Sequence, residues 1–298
     1  MEIGLFGFFS DIDNARAELS RAAASGFASY WVPQAFGPDT LTAIAVAGQD
    51  LPNLRIGTAV VPTYPRHPQM LAQQALTVNQ AIGGRLVLGI GPSHKVVIES
   101  QWGMSFDKPV RHMREYLEIL MPLLATQKAD VRGETLTCKA EIAVPGAPAP
   151  KVMVSALGPQ LLGVTGRLCD GTITWMTGPN TLRDLTVPAL TAAAQAAGRP
   201  APEVVAGFPI CVTDDVDAAR ERAARSFAIY GKLPSYRAML DREGCDGPAD
   251  LALVGSEAEV AERIEGIAAV GVTTFAASIF GSREERSRTN DLLTSLLG

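Results

Sequence analysis

Apolar, strand-like segments alternate with helix-like ones along the whole of this chain, and no other feature of the sequence restricts the fold as strongly. The pattern is clearest from Leu54 to Lys95, LRIGTAVVPTYPRHPQMLAQQALTVNQAIGGRLVLGIGPSHK. Leu54–Val61 is β-branched and apolar on both faces, as suits a strand buried within a parallel sheet. Pro62, Pro65 and Pro68 punctuate its end. Leu71, Ala75, Val78 and Ile82 then recur at helical spacing, and Gly83-Gly84 stops that helix. Arg85–Ile90 is a second buried strand, and its end carries Gly89, Gly91, Pro92, Ser93 and His94. Polar and Gly-rich sequence therefore follows the carboxyl end of two consecutive strands.

The same alternation extends in both directions. Strands are expected at Glu2–Phe9, Ala28–Val32, Lys151–Ser155, Gly171–Met176, Glu203–Val212 and Val272–Ser278. Helices are expected at Asp13–Ser25, Asp39–Gln49, Pro109–Thr126, Gln160–Leu168, Leu182–Ala197, Val216–Tyr230, Ser256–Val270 and Glu284–Leu297. Val131–Val144 alternates around Gly133 and predicts an inserted hairpin. Lys232–Leu253, with Pro234, Gly244, Gly247 and Pro248, reads as irregular. Strands that alternate with helices form a parallel sheet. Eight such units in 298 residues predict an α/β fold of the (β/α)8 barrel type, one domain over residues 1–298 with insertions near 96–108, 131–150 and 232–253. The competing architecture is a doubly wound sheet, but no G-x-G-x-x-G follows the first strand, where a dinucleotide fold would place it.

The net charge of −5 and the lack of a Lys/Arg cluster argue against nucleic acid or an acidic membrane surface as partner. Cys138, Cys169, Cys211 and Cys245 are scattered, with no C-x-x-C and no His/Cys metal spacing. They read as reduced thiols of a cytoplasmic protein. No signal peptide or membrane span is expected. There is no Walker loop, no G-x-S-x-G elbow and no H-E-x-x-H, and the strand ends lack the carboxylate pair of a glycosidase.

Those strand ends carry Gln34, His94, Ser155 and Thr177 instead. The chain has three histidines. His94, beyond the fourth strand, is placed to handle protons or to bond local backbone. His67 reads as a helix cap, and His112 as a surface or half-buried helix residue. Gln34 could bond a ligand ring or simply be solvated. The small residues around Thr58-Ala59-Val60 would let a flat ring lie on the backbone. Ser155-Ala156-Leu157-Gly158 and Trp175-Met176-Thr177-Gly178 each lead into a helix whose first amides suit a phosphate. Phe6, Phe8, Trp31, Phe36, Trp102 and Trp175 are candidates for an apolar substrate pocket or for ordinary packing, which is favoured for Phe6 and Phe8. Asp170 reads as an Asp-Gly turn residue.

Five segments, IGTAVVPTYPRHP, GGRLVLGIGPSHK, KPVRHMREYLEIL, SALGPQLL and DGTITWMTGP, resemble in order the luciferase-like oxidoreductases, and within them the branch that uses the deazaflavin coenzyme F420. The resemblance implies a barrel with the coenzyme ring in its carboxyl-end mouth. By position it implies that Thr58, Ala59 and Val60 form a bulge behind the ring, often with a cis peptide at the place of Ala59–Val60. It implies that Ala156, Leu157, Gly158, Met176, Thr177 and Gly178 form the phosphate-binding loops, and Gly91, Ser155 and Trp175 are expected among the cofactor-binding residues beside them. His94 falls where an acid or base can stand, and Gln34 where some relatives have histidine. His94 also replaces a glutamate of the sugar-phosphate-oxidising members, which argues against that activity.

The resemblance thus implies hydride transfer between deazaflavin C5 and a small-molecule substrate, with His94 moving the accompanying proton and no metal. The Lys232–Leu253 insertion is a candidate cover for the mouth. Two other functions stay open: an FMN-dependent monooxygenase of the same fold, and a barrel that binds flavin or deazaflavin without turnover. Arg66, Lys95 and Lys108 are candidates for the coenzyme's acidic tail. A homodimer is expected because dimers are common among relatives.

Overall fold

The computed structural model describes residues 1–51 and 53–297; Pro52 and Gly298, which fall within the expected 1–298 span, lie outside the described residues. Its strands are β1 (Glu2–Phe6), β2 (Ser29–Val32), β3 (Arg55–Thr58), β4 (Val61–Pro62), β5 (Leu86–Gly91), β6 (Lys128–Arg132), β7 (Thr137–Glu141), β8 (Lys151–Val154), β9 (Gly171–Trp175), β10 (Glu203–Val212), β11 (Leu253–Gly255) and β12 (Thr274–Ile279). Eight of them, β1, β2, β3, β5, β8, β9, β10 and β12, pair in parallel in chain order, and β12 closes on β1. The expected (β/α)8 barrel is the fold.

The ring closes because each strand is apolar on both faces. Phe6, Trp31, Val87, Met153, Ile173, Val205 and Ala276 fill the interior, and the outward faces join the larger core beneath the helices. Trp31 is fully buried, so it is interior packing and not part of a pocket. Its indole donates to Ser29 Oγ at 2.9 Å, and Gly57 makes its room, since a Cβ there would overlap the ring. Burying an aromatic of this size stabilises by about 4–6 kcal/mol. At the amino-terminal end of the barrel Arg55 bridges Glu2 and Glu203, and Lys151 also reaches Glu203. That end is tied off by charge, and the carboxyl end is left for chemistry.

Most helices start at their own caps. Asp11, Asp39, Asp215, Ser256 and Ser282 each accept an amide of the following turn. His67 caps Pro68–Ala81 through its ring, as its position predicts. Asp170 does more than turn the chain: its carboxylate accepts the Val152 amide at 2.8 Å and Arg199 at 3.0 Å.

Three expectations need correction. Lys232–Leu253 is not irregular, because Pro234–Glu243 is a helix with Pro234 in its first turn and Gly244 at φ 70° after its end. Those residues bound a helix rather than break one. His112 is buried, at 7% exposure, with Nε2 3.0 Å from Thr63 Oγ1 and its ring stacked on Tyr64. Burial lowers its pKa to about 4, with Glu115 pulling weakly the other way. Phe8 is 61% exposed and so is not packing. The inserted hairpin is β6–β7, fastened from below by Glu115, which accepts the amides of Glu134, Thr135 and Leu136.

Among the described residues no helix is long and apolar enough to cross a membrane, no His/Cys/Asp/Glu group could hold a metal, and the four cysteines are free.

Candidate active site

The mouth is organised by one side chain that stands in for backbone. β3 pairs with β5 only as far as Gly57 and Val87. Beyond that point Thr58 Oγ1 donates to Gly89 O at 2.7 Å and accepts from Gly89 N at 2.9 Å. A hydroxyl thus supplies both bonds of a missing rung. Gly89 permits this approach, since a Cβ would overlap the Thr58 carbonyl. The chain leaves the sheet as the Ala59-Val60 bulge. Ala59 N stays bonded to Val32 O at 2.8 Å, and the Ala59–Val60 peptide is cis. Ala59 and Val60 are half-buried against the barrel interior. Gly91 lies where this bulge meets β8, and a Cβ there would overlap Ser155 Oγ and press on Val60. The result is a flat, small-residue floor. Trp175 bounds it, stacked on Phe6 with centroids 4.7 Å apart.

His94 follows β5, after Ser93, which holds a left-handed φ of 61°. Its ring is half-buried and lies 5.9 Å from Tyr236. Burial lowers its pKa, so the imidazole is neutral at neutral pH. Gln34 stands at the end of β2, but its Oε1 accepts the Thr40 amide at 2.8 Å and so helps start the next helix. Its Nε2 is left with a long contact to Ala35 O, at 3.4 Å. Phe36 and Trp102 are both exposed.

The loop after β8 leaves its helix amides open to an anion, whereas after β9 the expected helix amides, those of Asn180 and Thr181, are already bonded to Glu243 and only the loop before them is open. Val154 pairs with Thr172, so the segments that follow β8 and β9 run side by side. After β8, Ser155 N is tied to Ile90 O at 2.9 Å and Ala156 is buried. Leu157 and Gly158 lead into helix Pro159–Leu168, where Gly158 makes no side-chain cap and has open space around it. After β9, Met176 sits at φ 48° with its amide on Gly207 O. Thr177 is fully buried, and its Oγ1 has no partner among the described residues. An uncapped helix start and an orphaned buried hydroxyl in adjacent loops fit a phosphate. The usual barrel phosphate position, after the last two strands, is closed. Glu259 and Glu285 fold back on Ser256 and Ser282 there. Burial opposes ionisation of Glu285, but the Ser282 amide, the Thr213 and Ser282 hydroxyls and Arg222 hold its pKa at about 2.

The sequence matches the luciferase-like monooxygenase family over residues 7–274. The chain belongs to this family. It is 26% identical over 280 residues to a 5,10-methylenetetrahydromethanopterin reductase of Methanolobus tindarius, covering 91% of this chain and 84% of that one. It is 29% identical over 251 residues to a putative coenzyme F420-dependent oxidoreductase of Mycobacterium tuberculosis, covering 79% and 71%. Among solved structures, the F420-dependent tetrahydromethanopterin reductase of Methanopyrus kandleri superposes with a TM-score of 0.81 at 19% identity, over 98% of this chain and 97% of that one.

In this luciferase-like barrel the Lys232–Leu253 insertion, read from the sequence as a candidate cover, contributes individual residues that the sequence did not single out. Tyr236 meets His94, and Glu243 Oε1 accepts the Thr181 amide at 2.5 Å. Leu240 packs with Met176, Leu251 and Trp175. Helix Pro234–Glu243 therefore reaches from the segment after β5 to the segment after β9. The hollow between the ends of β1 and β2, lined by Phe8, Phe9, Val32, Pro33 and Thr40, is only about 20 Å³, against roughly 300–1,000 Å³ in ligand pockets. The sequence signal for this cover was the Lys232–Leu253 insertion before the last strand; the Pro234…Gly244 pairing marks the start and stop of its helix.

Proposed function

We propose that this luciferase-like chain is a coenzyme F420-dependent oxidoreductase that moves a hydride between the deazaflavin C5 and a small organic substrate. The observation that carries this reading is the pair of adjacent loops at 155–158 and 175–178, with an uncapped helix start and the orphaned Thr177 hydroxyl, beside the flat Ala59-Val60 floor. The F420-dependent relatives favour the deazaflavin over FMN.

When bound, the deazaflavin supplies a ring carbon that accepts or gives a hydride. The chain supplies the rest. Ala59 and Val60 back the ring, and Gly91 leaves room at its edge. Ala156, Leu157, Gly158 and Thr177 hold the phosphate by amide and hydroxyl. His94, neutral because it is half-buried, takes the substrate proton as the hydride departs and returns it in the reverse direction. The same reading makes the chain a cytoplasmic homodimer organised as one barrel unit. Light scattering of the purified protein checks the dimer.

The test is equilibrium binding of the purified chain to the deazaflavin coenzyme and to FMN. Micromolar or tighter binding of the deazaflavin, with FMN clearly weaker, is the expected outcome. A preference for FMN would move the chain to flavin chemistry, and binding of neither would remove the redox reading.

A further inference from the structure

The second anion loop already holds a negative group. Glu243 Oε1 accepts the Thr181 amide at 2.5 Å and Oε2 accepts the Asn180 amide at 3.2 Å. These are the first amides of the helical run that begins at Pro179, after β9. Gly178 makes the approach possible, because a Cβ there would overlap the carboxylate. Neither loop, Ser155–Gln160 or Trp175–Thr181, contains Lys or Arg. The nearest guanidinium in sequence, Arg183, is clamped by its neighbour Asp184 at 2.7 and 2.8 Å. The two loops themselves therefore offer an anion only amides and hydroxyls, next to a fixed carboxylate that Arg183 also faces.

We propose that Glu243 determines which kind of phosphate the mouth accepts: it admits a singly charged phosphodiester and disfavours a doubly charged phosphomonoester. This rests on the reading above, that these loops hold a coenzyme phosphate. A phosphomonoester carries about −1.5 to −2 charges near pH 7, whereas a diester carries one. The deazaflavin coenzyme runs on through its phosphate into a lactyl-oligoglutamate tail and is a diester. FMN ends at its phosphate and is a monoester. Repulsion by Glu243 grows with the charge it faces. At an effective dielectric near 20, repulsion of most of one extra charge by a carboxylate in the adjoining loop changes affinity on the order of tenfold. The monoester also loses two amides, those of Asn180 and Thr181, that its extra charge would otherwise draw on. Glu243 touches neither ring nor substrate in this account; it acts on specificity.

The experiment compares two probes with the same ring, deazariboflavin 5′-phosphate and its methyl phosphodiester, by quenching of ring fluorescence at equilibrium. The wild-type chain should favour the diester by about tenfold or more. Glu243→Gln should bring the ratio near one, chiefly by strengthening the monoester. Glu243→Ser, a second neutral variant, should do the same, and Glu243→Asp should keep the wild-type ratio. Circular dichroism of each variant guards against misfolding. An unchanged ratio in both neutral variants would overturn the proposal, as would an equal gain for both esters. If deazariboflavin without phosphate binds the wild-type chain as well as either ester, the phosphate reading itself fails and the Glu243 role fails with it. Retained phosphate dependence with an unchanged ratio rejects Glu243 alone.

Discussion

Thr58→Val isolates the side-chain rung between β3 and β5. Valine has nearly the shape of threonine, and Thr58 is fully buried, so packing changes little. Two bonds are lost, the donation to Gly89 O at 2.7 Å and the acceptance from Gly89 N at 2.9 Å. No water replaces them at a fully buried hydroxyl, and Gly89 is left with an unpaired N–H and an unpaired C=O. Each buried orphan costs about 1–3 kcal/mol, the carbonyl somewhat less. The variant should therefore lose roughly 2–5 kcal/mol of stability. For a chain of this size each kcal/mol moves the melting temperature by about 2–4 °C. Urea unfolding and thermal melting of purified protein read the loss directly. Thr58→Ser keeps the hydroxyl and should lose less than about 1.5 kcal/mol for its missing methyl. A valine variant within about 0.5 kcal/mol of wild type, or a serine variant as unstable as valine, would refute the argument.

Other consequences are as specific. His94→Ala should lower turnover about 10²–10⁴-fold while leaving deazaflavin affinity nearly unchanged; loss of affinity at constant turnover would contradict its role as proton carrier. His112 has a folded pKa lowered to about 4 from 6.5, so the unfolded chain binds more protons between those values. Its contribution, about 3 kcal/mol, is complete above pH 6.5 and is lost as pH falls toward 4. His94 acts in the same direction, whereas Glu285 acts only below about pH 4.5. Denaturation across pH 4.5–7 should thus show a slope that Glu285 does not explain and that His112→Gln flattens. Glu115→Ala removes the acceptor for three amides and the Thr135 hydroxyl at the β6–β7 turn. It should cost about 1–3 kcal/mol, and hydrogen exchange should speed up in Glu134–Leu136 before the barrel responds.

The barrel was legible because its determinants are local. Each ring strand is a short apolar run on both faces, and Gly26, Gly83 and Gly198 punctuate the helices between them. The small-residue loops after β8 and β9 were legible for the same reason, since small residues before a helix start declare themselves along the chain. What stayed hidden depends on distance. Glu243 meets Thr181 across 62 positions, and no spacing rule links them. Pro234 and Gly244 were read as breakers, although a proline in the first turn and a left-handed glycine after the last are how a helix of that length is bounded. His112 sits at a helix position whose face is ambiguous until the Tyr64 ring and Thr63 hydroxyl arrive from the loop after β4. Gln34 was legible as a mouth residue, but its bond to the Thr40 amide needed the turn to be seen.

β11 lies parallel to the last residues of β10, with Ile210 opposite Leu253 and Val212 opposite Gly255. The pairing is parallel, so the chain that departs at Thr213 re-enters beside Ile210, three residues or roughly 10 Å back along β10. Everything between Thr213 and Ala252, including the residues that face His94 and the β9 loop, lies outside the closed ring of strands and is fastened to it by Ala219 and Ala223 on Cys211 and by Arg222 on Glu285. A crossover of about a dozen residues, the length a parallel pair requires, would leave the β9–β10 and β10–β12 pairing untouched. Sequences grafted there from other chains could give the same barrel a new cover, and with it a new choice of what enters.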